Sequence, residues 1–412
     1  MTTVEMPCRS CKAHPLQSVV DLGATPLANA LLTRERLDGP EERFPLHLVF
    51  CEECSLSQIT ESVRPEKLFG DYLYFSSVSE AMLRHWEAIA TRMQRERKLG
   101  PGSLVVDVAS NDGYLLQFYK RAGIGVLGIE PAANIARVAQ DERSIPTICS
   151  FFGEDFAAKL ARDGKRADVL HANNVLAHVA DLNGFVRGIA SVLNDDGVAV
   201  IETPSVRDMV DRLEFDTIYH EHLHYFSLAS LEKLFARHGL SIVDVEHVPV
   251  HGGSFRVFAS PSAIARKPSD AFQTMLGAEA DAGTTSLAFY RDFGARIENL
   301  RSKLTTLLKE LKMASQRIAG YGASAKGSTL LNAFGIGSDS LDFVVDKSPH
   351  KQGLYTPGTH LPIAAPDKLL EAMPDYVLLL TWNLEVEILA QQAEYRRRGG
   401  RFIVPVPDVR VV

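Results

Sequence analysis

Residues 102–131, GSLVVDVASNDGYLLQFYKRAGIGVLGIEP, decide the fold. The stretch reads as a strand, a tight turn, a helix and a second strand, the opening of an α/β unit. Strand–helix alternation continues in ADVLHANNVLAHV (167–179) and LNGFVRGIASVLNDDGVAVIETP (182–204). A β-rich end, LSIVDVEHVPVHGGSFRVFAS (240–260), closes the unit. The turn Asp107-Val-Ala-Ser-Asn111-Asp112-Gly113 has a single glycine, with an acidic residue before it. A pyrophosphate needs close backbone approach and hence several glycines. Glu130 ends the next strand 17 residues after Gly113, where a carboxylate can accept both ribose hydroxyls. Two acidic strand ends around a short turn suit S-adenosylmethionine better than NAD.

Upstream, four of the five cysteines form two CxxC pairs, Cys8/Cys11 and Cys51/Cys54, with 39 residues between them. No apolar core of signal-peptide length precedes them, so a cytoplasmic protein is expected, and zinc thiolates are favoured over disulfides. Four thiolates leave no open coordination position, so this zinc is structural, and its loss should cost stability without selectively costing chemistry. Cys51 also ends an alternating strand, FPLHLVFCEEC. The fifth cysteine, Cys149, reads as a small apolar residue. The segment 71–100 follows. Its Met82, Leu83, Trp86, Ile89 and Met93 recur at helical spacing.

Downstream, residues 268–315 read as helical. Phe293, Ile297, Leu300, Leu304, Leu307 or Leu308, and Leu311 form one apolar stripe. A second strand–turn–helix follows in RIAGYGASAKGSTLLNAFGI, and its Gly320-Tyr-Gly322-Ala-Ser-Ala325 turn matches G-x-G-x-x-A. Asp346 lies 24 residues beyond Gly322, near where a dinucleotide domain puts its ribose carboxylate. Lys326 adds a phosphate-seeking cation, suited to a nucleoside diphosphate as well as to NAD. These features support a rival reading, an NAD(P)-dependent oxidoreductase of a nucleotide sugar.

A net charge of −7 without a long basic run argues against nucleic-acid binding, and no apolar stretch has the length of a membrane span. Hydrophobic and charged fractions of 46% and 23% are those of a soluble globular chain with room for two or three domains. IYHEHLHYFS (218–227) alternates His220, His222 and His224 with other residues. If extended, it puts all three imidazoles on one face, so a metal centre, an acid–base cluster and ordinary polar side chains all remain open.

Seven motifs stand in order: CxxC…CxxC, the YxYxSS loop (Tyr72, Tyr74, Ser76, Ser77), NDGYLL, ANNVLAHV, IYHEH, VPVHGGSFRVF and GYGASAK. Together they resemble the S-adenosylmethionine-dependent C-methyltransferases of nucleotide-linked 4-keto-deoxysugars, above all the sugar C-3 methyltransferases, over nearly the whole chain. The resemblance implies an α/β protein of three domains: zinc-binding over 1–66, a Rossmann-like methyltransferase over 67–262, and a smaller Rossmann-like domain over 263–412. The sugar nucleotide would lie in the cleft between domains, and the second turn would be a relic or a substrate cradle without NAD. Asp107, Asn111, Asp112, Gly113, Glu130, Asn173 and Asn174 would hold the cofactor. Tyr72, Tyr74, Ser76, Ser77, His251 and Lys326 would meet the substrate.

Ala109 and Ser110 depart from the glycines usual in the family's first turn. By resemblance His222 is the general base, Glu221 orients or assists it, Tyr219 supports the enolate, and His178 handles protons. Deprotonation and alkylation need no metal, which sets the histidine metal reading aside. A turn would be needed to bring Tyr219, Glu221 and His222 to one substrate. C-3 is the favoured carbon, with C-5 the second. A third class, a zinc-ribbon interaction protein, leaves the histidines and both turns without a task. The oligomeric state stays open, and a monomer suffices for this reading.

Overall fold

A computed structural model describes residues 2–69, 77, 80–250, 252–264 and 266–412. Tyr72, Tyr74, Ser76 and His251, expected at the substrate, lie outside the described residues. Strands β1 (Thr3–Val4), β2 (Leu16–Thr25), β3 (Phe44–Phe50) and β4 (Ser57–Ile59) pair antiparallel in that order. Cys51 follows directly on β3, as the alternating pattern predicts.

The middle unit contributes β5 (Leu104–Val108), β6 (Gly125–Ile129), β7 (Thr147–Ile148), β8 (Ala167–Asn173) and β9 (Leu193–Pro204), then β10 (His224–Tyr225), β11 (Leu240–Val248) and β12 (Ser254–Pro261). Its seven-stranded sheet runs β7-β6-β5-β8-β9-β12-β11. The first five are parallel, and β12 and β11 pair antiparallel at the edge. Helices cover both faces, which is why β5 is a near-continuous apolar run, with Val105 and Val106 fully buried. The helix Glu80–Glu96 buries Trp86, Ile89 and Met93 on one side. The chain steps from β5 to β6 and β7, then crosses back to β8. The crevice between β5 and β8 is therefore the topological switch point, where open α/β sheets bind ligands at the strands' carboxyl ends.

β10 does not join this sheet. It pairs with β4 of the N-terminal unit, His224 opposite Gln58 and Tyr225 opposite Ser57. The N-terminal sheet thus takes its fifth strand from a segment more than 160 residues away, just after IYHEH.

The helical stretch past 268 is two helices, Asp270–Ala282 and Phe293–Met313, because Gly283 stops the first in the left-handed region (φ 75°). Phe293, Ile297, Leu300, Leu304 and Leu308 are buried as the stripe predicts. They pack with Leu46, Leu48, Phe50 and Ile59 of β3 and β4. Each such side chain contributes about 1.5–3 kcal/mol on burial, so the two ends of the chain are joined by one substantial core. The last sheet holds β13 (Ile318–Tyr321), β14 (Val344–Val345), β15 (Ile363–Ala364), β16 (Tyr376–Leu379), β17 (Arg401–Val404) and β18 (Arg410–Val411). Its order is β15-β14-β13-β16-β17-β18, parallel except for β18, a second and smaller doubly wound unit. Among the described residues, no helix is long and apolar enough to cross a membrane.

Candidate active site

The four N-terminal sulfurs lie within 4.8 Å of one another, with Cys8–Cys54 and Cys11–Cys51 each 3.5 Å apart. Tetrahedral thiolates on zinc sit about 3.8 Å apart, since Zn–S is about 2.3 Å. The set fits a closed four-cysteine site. Each knuckle is turned by the residue after it: Lys12 (φ 68°) and Ser55 (φ 62°) donate their N–H to the Cys8 and Cys51 carbonyls at 3.0 and 2.8 Å. Gln58 Nε2 donates to Cys8 Sγ at 3.2 Å, the outer hydrogen bond that orients a ligating thiolate. Cys149 is exposed, so it is not the packed apolar residue expected from sequence.

Around the switch point, buried polar atoms gather without partners. Among the described residues, neither carboxylate oxygen of fully buried Asp107 is bonded. The same holds for Ser110 Oγ, Asp112 Oδ1, both amide atoms of Asn173, Asn174 Oδ1 and Thr203 Oγ1. All stand at or just past the carboxyl ends of β5, β8 and β9, where native proteins rarely leave polar atoms unpaired unless a polar ligand or water fills the space. Burial, then the Glu130 charge, raises the Asp107 carboxyl well above its ordinary range. Ala109 adopts φ +57° and Asn111 φ +49°. The left-handed region costs alanine roughly 1–2 kcal/mol that glycine would avoid, so the departure at position 109 is a strained one. Glu130 accepts the Asn111 N–H and the Ala132 N–H, both at 2.9 Å, and so clamps the turn. Asp112 is held by Arg143 at 3.1 Å and by the Ser77 hydroxyl.

The second turn repeats the clamp. Asp346 accepts the Ala323 and Ser348 N–H groups, both at 2.8 Å. A Cβ on Gly322 would lie 2.5 Å from the Thr381 side chain, and one on Gly327 2.9 Å from Leu380, so these glycines answer to packing. Lys326 Nζ lies 3.7 Å from Glu214 and 4.8 Å over the Trp382 ring.

IYHEHLHYFS is not extended. Residues 219–221 bend and only 224–225 are strand, so the three imidazoles do not share a face. Each finds its own backbone carbonyl. Buried His220 donates to the Phe44 and Pro45 carbonyls, both at 3.2 Å. Buried His224 donates to the Val179 carbonyl at 3.0 Å, and burial pushes it down to about 3. These two are packing groups held neutral. Among the described residues, only the four cysteines cluster as metal ligands.

His222, half-buried, differs. Its Nδ1 lies 2.8 Å from the Thr217 carbonyl, so Nδ1 carries the proton, and Nε2 accepts the Tyr219 hydroxyl at 2.9 Å. The His178 ring meets it edge to face, 4.8 Å between centroids. The Leu223 N–H, bonded at 2.8 Å to the Ala177 carbonyl, ties the two histidine segments together. Tyr219, His222 and His178 therefore form one group.

Glu221 turns instead to Asn29, whose Nδ2 donates to Oε1 at 2.6 Å. The group that holds the His222 ring is Thr217, which nothing in the spacing marked out. Asn29 was missed as well. It sits in TPLANALL, a loop pinned to the C-terminal domain by paired hydrogen bonds between Leu32 and Tyr355. Burial raises the Glu221 carboxyl to about 7, against the Asn29 hydrogen bond and the Lys351 charge. The folded state thus binds an extra proton between the ordinary carboxylate range and about pH 7. Stability present at low pH is lost as pH rises through that window. Glu221→Gln should remove this share of the decline. It should gain on the order of 2 kcal/mol over the parent at pH 8 and nothing at pH 4, read from denaturant midpoints at both values.

Three family models tile the chain: a zinc binding domain over 8–69, a methyltransferase domain over 80–245, and a C-methyltransferase C-terminal domain over 249–407. The C-methyltransferase NovU of Streptomyces niveus is 38% identical over 98% of this chain and 96% of its own length. A ubiquinone biosynthesis O-methyltransferase of Azorhizobium caulinodans is 29% identical over 31% of this chain and 48% of its own length. Among solved structures, magnesium protoporphyrin IX methyltransferase of Synechocystis with bound SAM is 16% identical, covering 48% of this chain and 89% of that one, with a TM-score of 0.35. The methyltransferase domain accounts for S-adenosylmethionine as cofactor, the zinc binding domain holds the four close sulfurs, and the Gly320 turn lies in a C-methyltransferase domain and not in an oxidoreductase. With a relative matched from end to end and every unit accounted for, this chain belongs to the S-adenosylmethionine-dependent C-methyltransferases.

Proposed function

We propose that the protein methylates the carbon beside the ketone of a nucleotide-linked 4-keto-deoxysugar, with C-3 favoured. The observation that carries this is the His222 imidazole, held with its proton on Nδ1 and its lone pair on Nε2 toward Tyr219. A ketone acidifies the neighbouring C–H, so the reaction needs a neutral base and a donor for the oxygen that gains charge. His222 Nε2 takes the proton, the electron pair moves into an enolate, and the Tyr219 hydroxyl, with His178 beside it, donates to the enolate oxygen. Bound S-adenosylmethionine supplies an electrophilic methyl group and departs as the neutral thioether. The ketone reforms as the carbon is alkylated, and the imidazolium returns its proton to water.

Asp107, Asn111, Asp112, Gly113, Glu130, Asn173 and Asn174 are the proposed cofactor residues, supported by the unpaired atoms among them. Lys326 is the proposed cation for the diphosphate, with Tyr72, Tyr74, Ser76 and His251 proposed beside the sugar. Ser77 acts through Asp112. Glu221 is proposed as an assisting acid at the same turn.

The test is deuterium wash-in. Enzyme, S-adenosylhomocysteine and a nucleoside-diphospho-4-keto-6-deoxyhexose are mixed in D₂O, and exchange is followed by proton NMR. Wash-in at C-3 above the enzyme-free rate is the expected result. Wash-in at C-5 alone would move the reaction to that carbon, and none at either position would overturn the substrate class.

A further inference from the structure

Residues 214–217, Glu-Phe-Asp-Thr, lead into the turn that carries His222, and three of the four reach across to the C-terminal domain. Phe215 stacks on Phe334, with centroids 4.7 Å apart and planes inclined by 17°. Asp216, fully buried, accepts the indole N–H of Trp382 at 2.6 Å. Glu214 faces the Lys326 ammonium, which itself lies over the Trp382 ring. The fourth residue faces the other way: the Thr217 carbonyl takes the Nδ1–H of His222, and the Tyr225 hydroxyl reaches the same oxygen at 3.4 Å.

A carbonyl acceptor at Nδ1 selects one imidazole tautomer, and that tautomer alone leaves Nε2 as the proton acceptor. The position of this carbonyl is set by neighbours whose anchors belong to a different domain. The Asp216 anchor is the costly one to break. Its other oxygen has no partner among the described residues, so removing the indole donor leaves a buried carboxyl without its side-chain hydrogen bond.

We infer that Trp382 and Asp216 are positioning residues for the base: through their hydrogen bond, the C-terminal domain holds the Thr217 carbonyl where it keeps His222 protonated on Nδ1. The inference rests on the reading of His222 as base for its catalytic consequence, and on geometry alone for the tautomer. It gives the C-terminal domain, which supplies Trp382, a share in proton chemistry.

The experiment uses full-length zinc-loaded protein carrying ¹⁵N-histidine. Long-range ¹H–¹⁵N spectra report the His222 tautomer, assigned by the signal lost in His222→Asn. Trp382→Phe keeps an aromatic ring beneath Lys326 and removes the indole donor together with part of the ring, a packing loss that Asp216→Ala does not share. It should turn a single Nδ1–H form into a mixture and lower kcat by roughly 10- to 100-fold, with KM for S-adenosylmethionine unchanged. Asp216→Ala should do the same, while Asp216→Asn, which keeps an acceptor oxygen, should restore the parent spectrum. A Trp382→Phe or Asp216→Ala protein with the parent tautomer overturns the inference whatever its turnover. Full turnover in His222→Asn would overturn the base reading instead, and leave the tautomer result to stand.

Discussion

His222→Asn is expected to lower kcat by about 10²- to 10⁴-fold, the usual contribution of a positioned general base. The affinity for S-adenosylmethionine should stay within about twofold of the parent, because the ring is held by Thr217, Tyr219 and His178, and the variant keeps the fold of the cofactor turn. Asparagine suits the test. Its amide N–H can take the place of Nδ1–H against the Thr217 carbonyl, so the turn keeps its hydrogen bond and loses only the basic nitrogen. Steady-state kinetics paired with calorimetric titration of S-adenosylmethionine would check it. An asparagine variant with parent turnover would remove His222 from the chemistry and pass the proton transfer to Glu221 or His178.

The second large effect is expected at the zinc site. Structural zinc contributes about 10–16 kcal/mol in isolated finger peptides, so Cys51→Ser or a strong chelator should unfold the N-terminal sheet. From spacing alone, zinc loss should spare the chemistry of protein that remains folded. The tertiary structure changes that expectation. Gln58, which donates to Cys8 Sγ, lies opposite His224 in the β4–β10 pair, and the Ile59 N–H bonds the Leu223 carbonyl at 3.1 Å. The residue directly after His222 is therefore hydrogen-bonded to the zinc module's own strand. Turnover, β-sheet signal and bound zinc should fall together in a chelator titration followed by circular dichroism and a colorimetric zinc assay. Parent activity in zinc-free, folded protein would break the link.

Much of the fold was legible because it rests on short-range pattern. The buried run LVVDV, the turn at 109–113 and the acid at 130 mark the β5–β6 strand pair, and the stripe from Phe293 to Leu308 marks a one-faced helix. The glycine that splits 268–315 into two helices was in view, yet a helical pattern on both sides hid it. IYHEH left two backbone forms open, and the structure takes the turn and not the strand. Alternation is a strand signal only when neighbouring strands satisfy the backbone. Here His220, His222 and His224 each bond a carbonyl from a different part of the chain, and the segment turns to let them.

The sequence by itself determined which groups are at hand: four cysteines with zinc spacing, two acidic strand ends around a turn, and a histidine and a tyrosine three residues apart. Those features depend on neighbours along the chain. Only the tertiary structure decided which side chains work together. Asn29 reaches Glu221 across 192 positions and Trp382 reaches Asp216 across 166, and both bonds end on buried carboxyl groups. The physical reason is that a buried polar atom must find a partner wherever the packing of domains supplies one, and no periodicity in a single chain records where that will be.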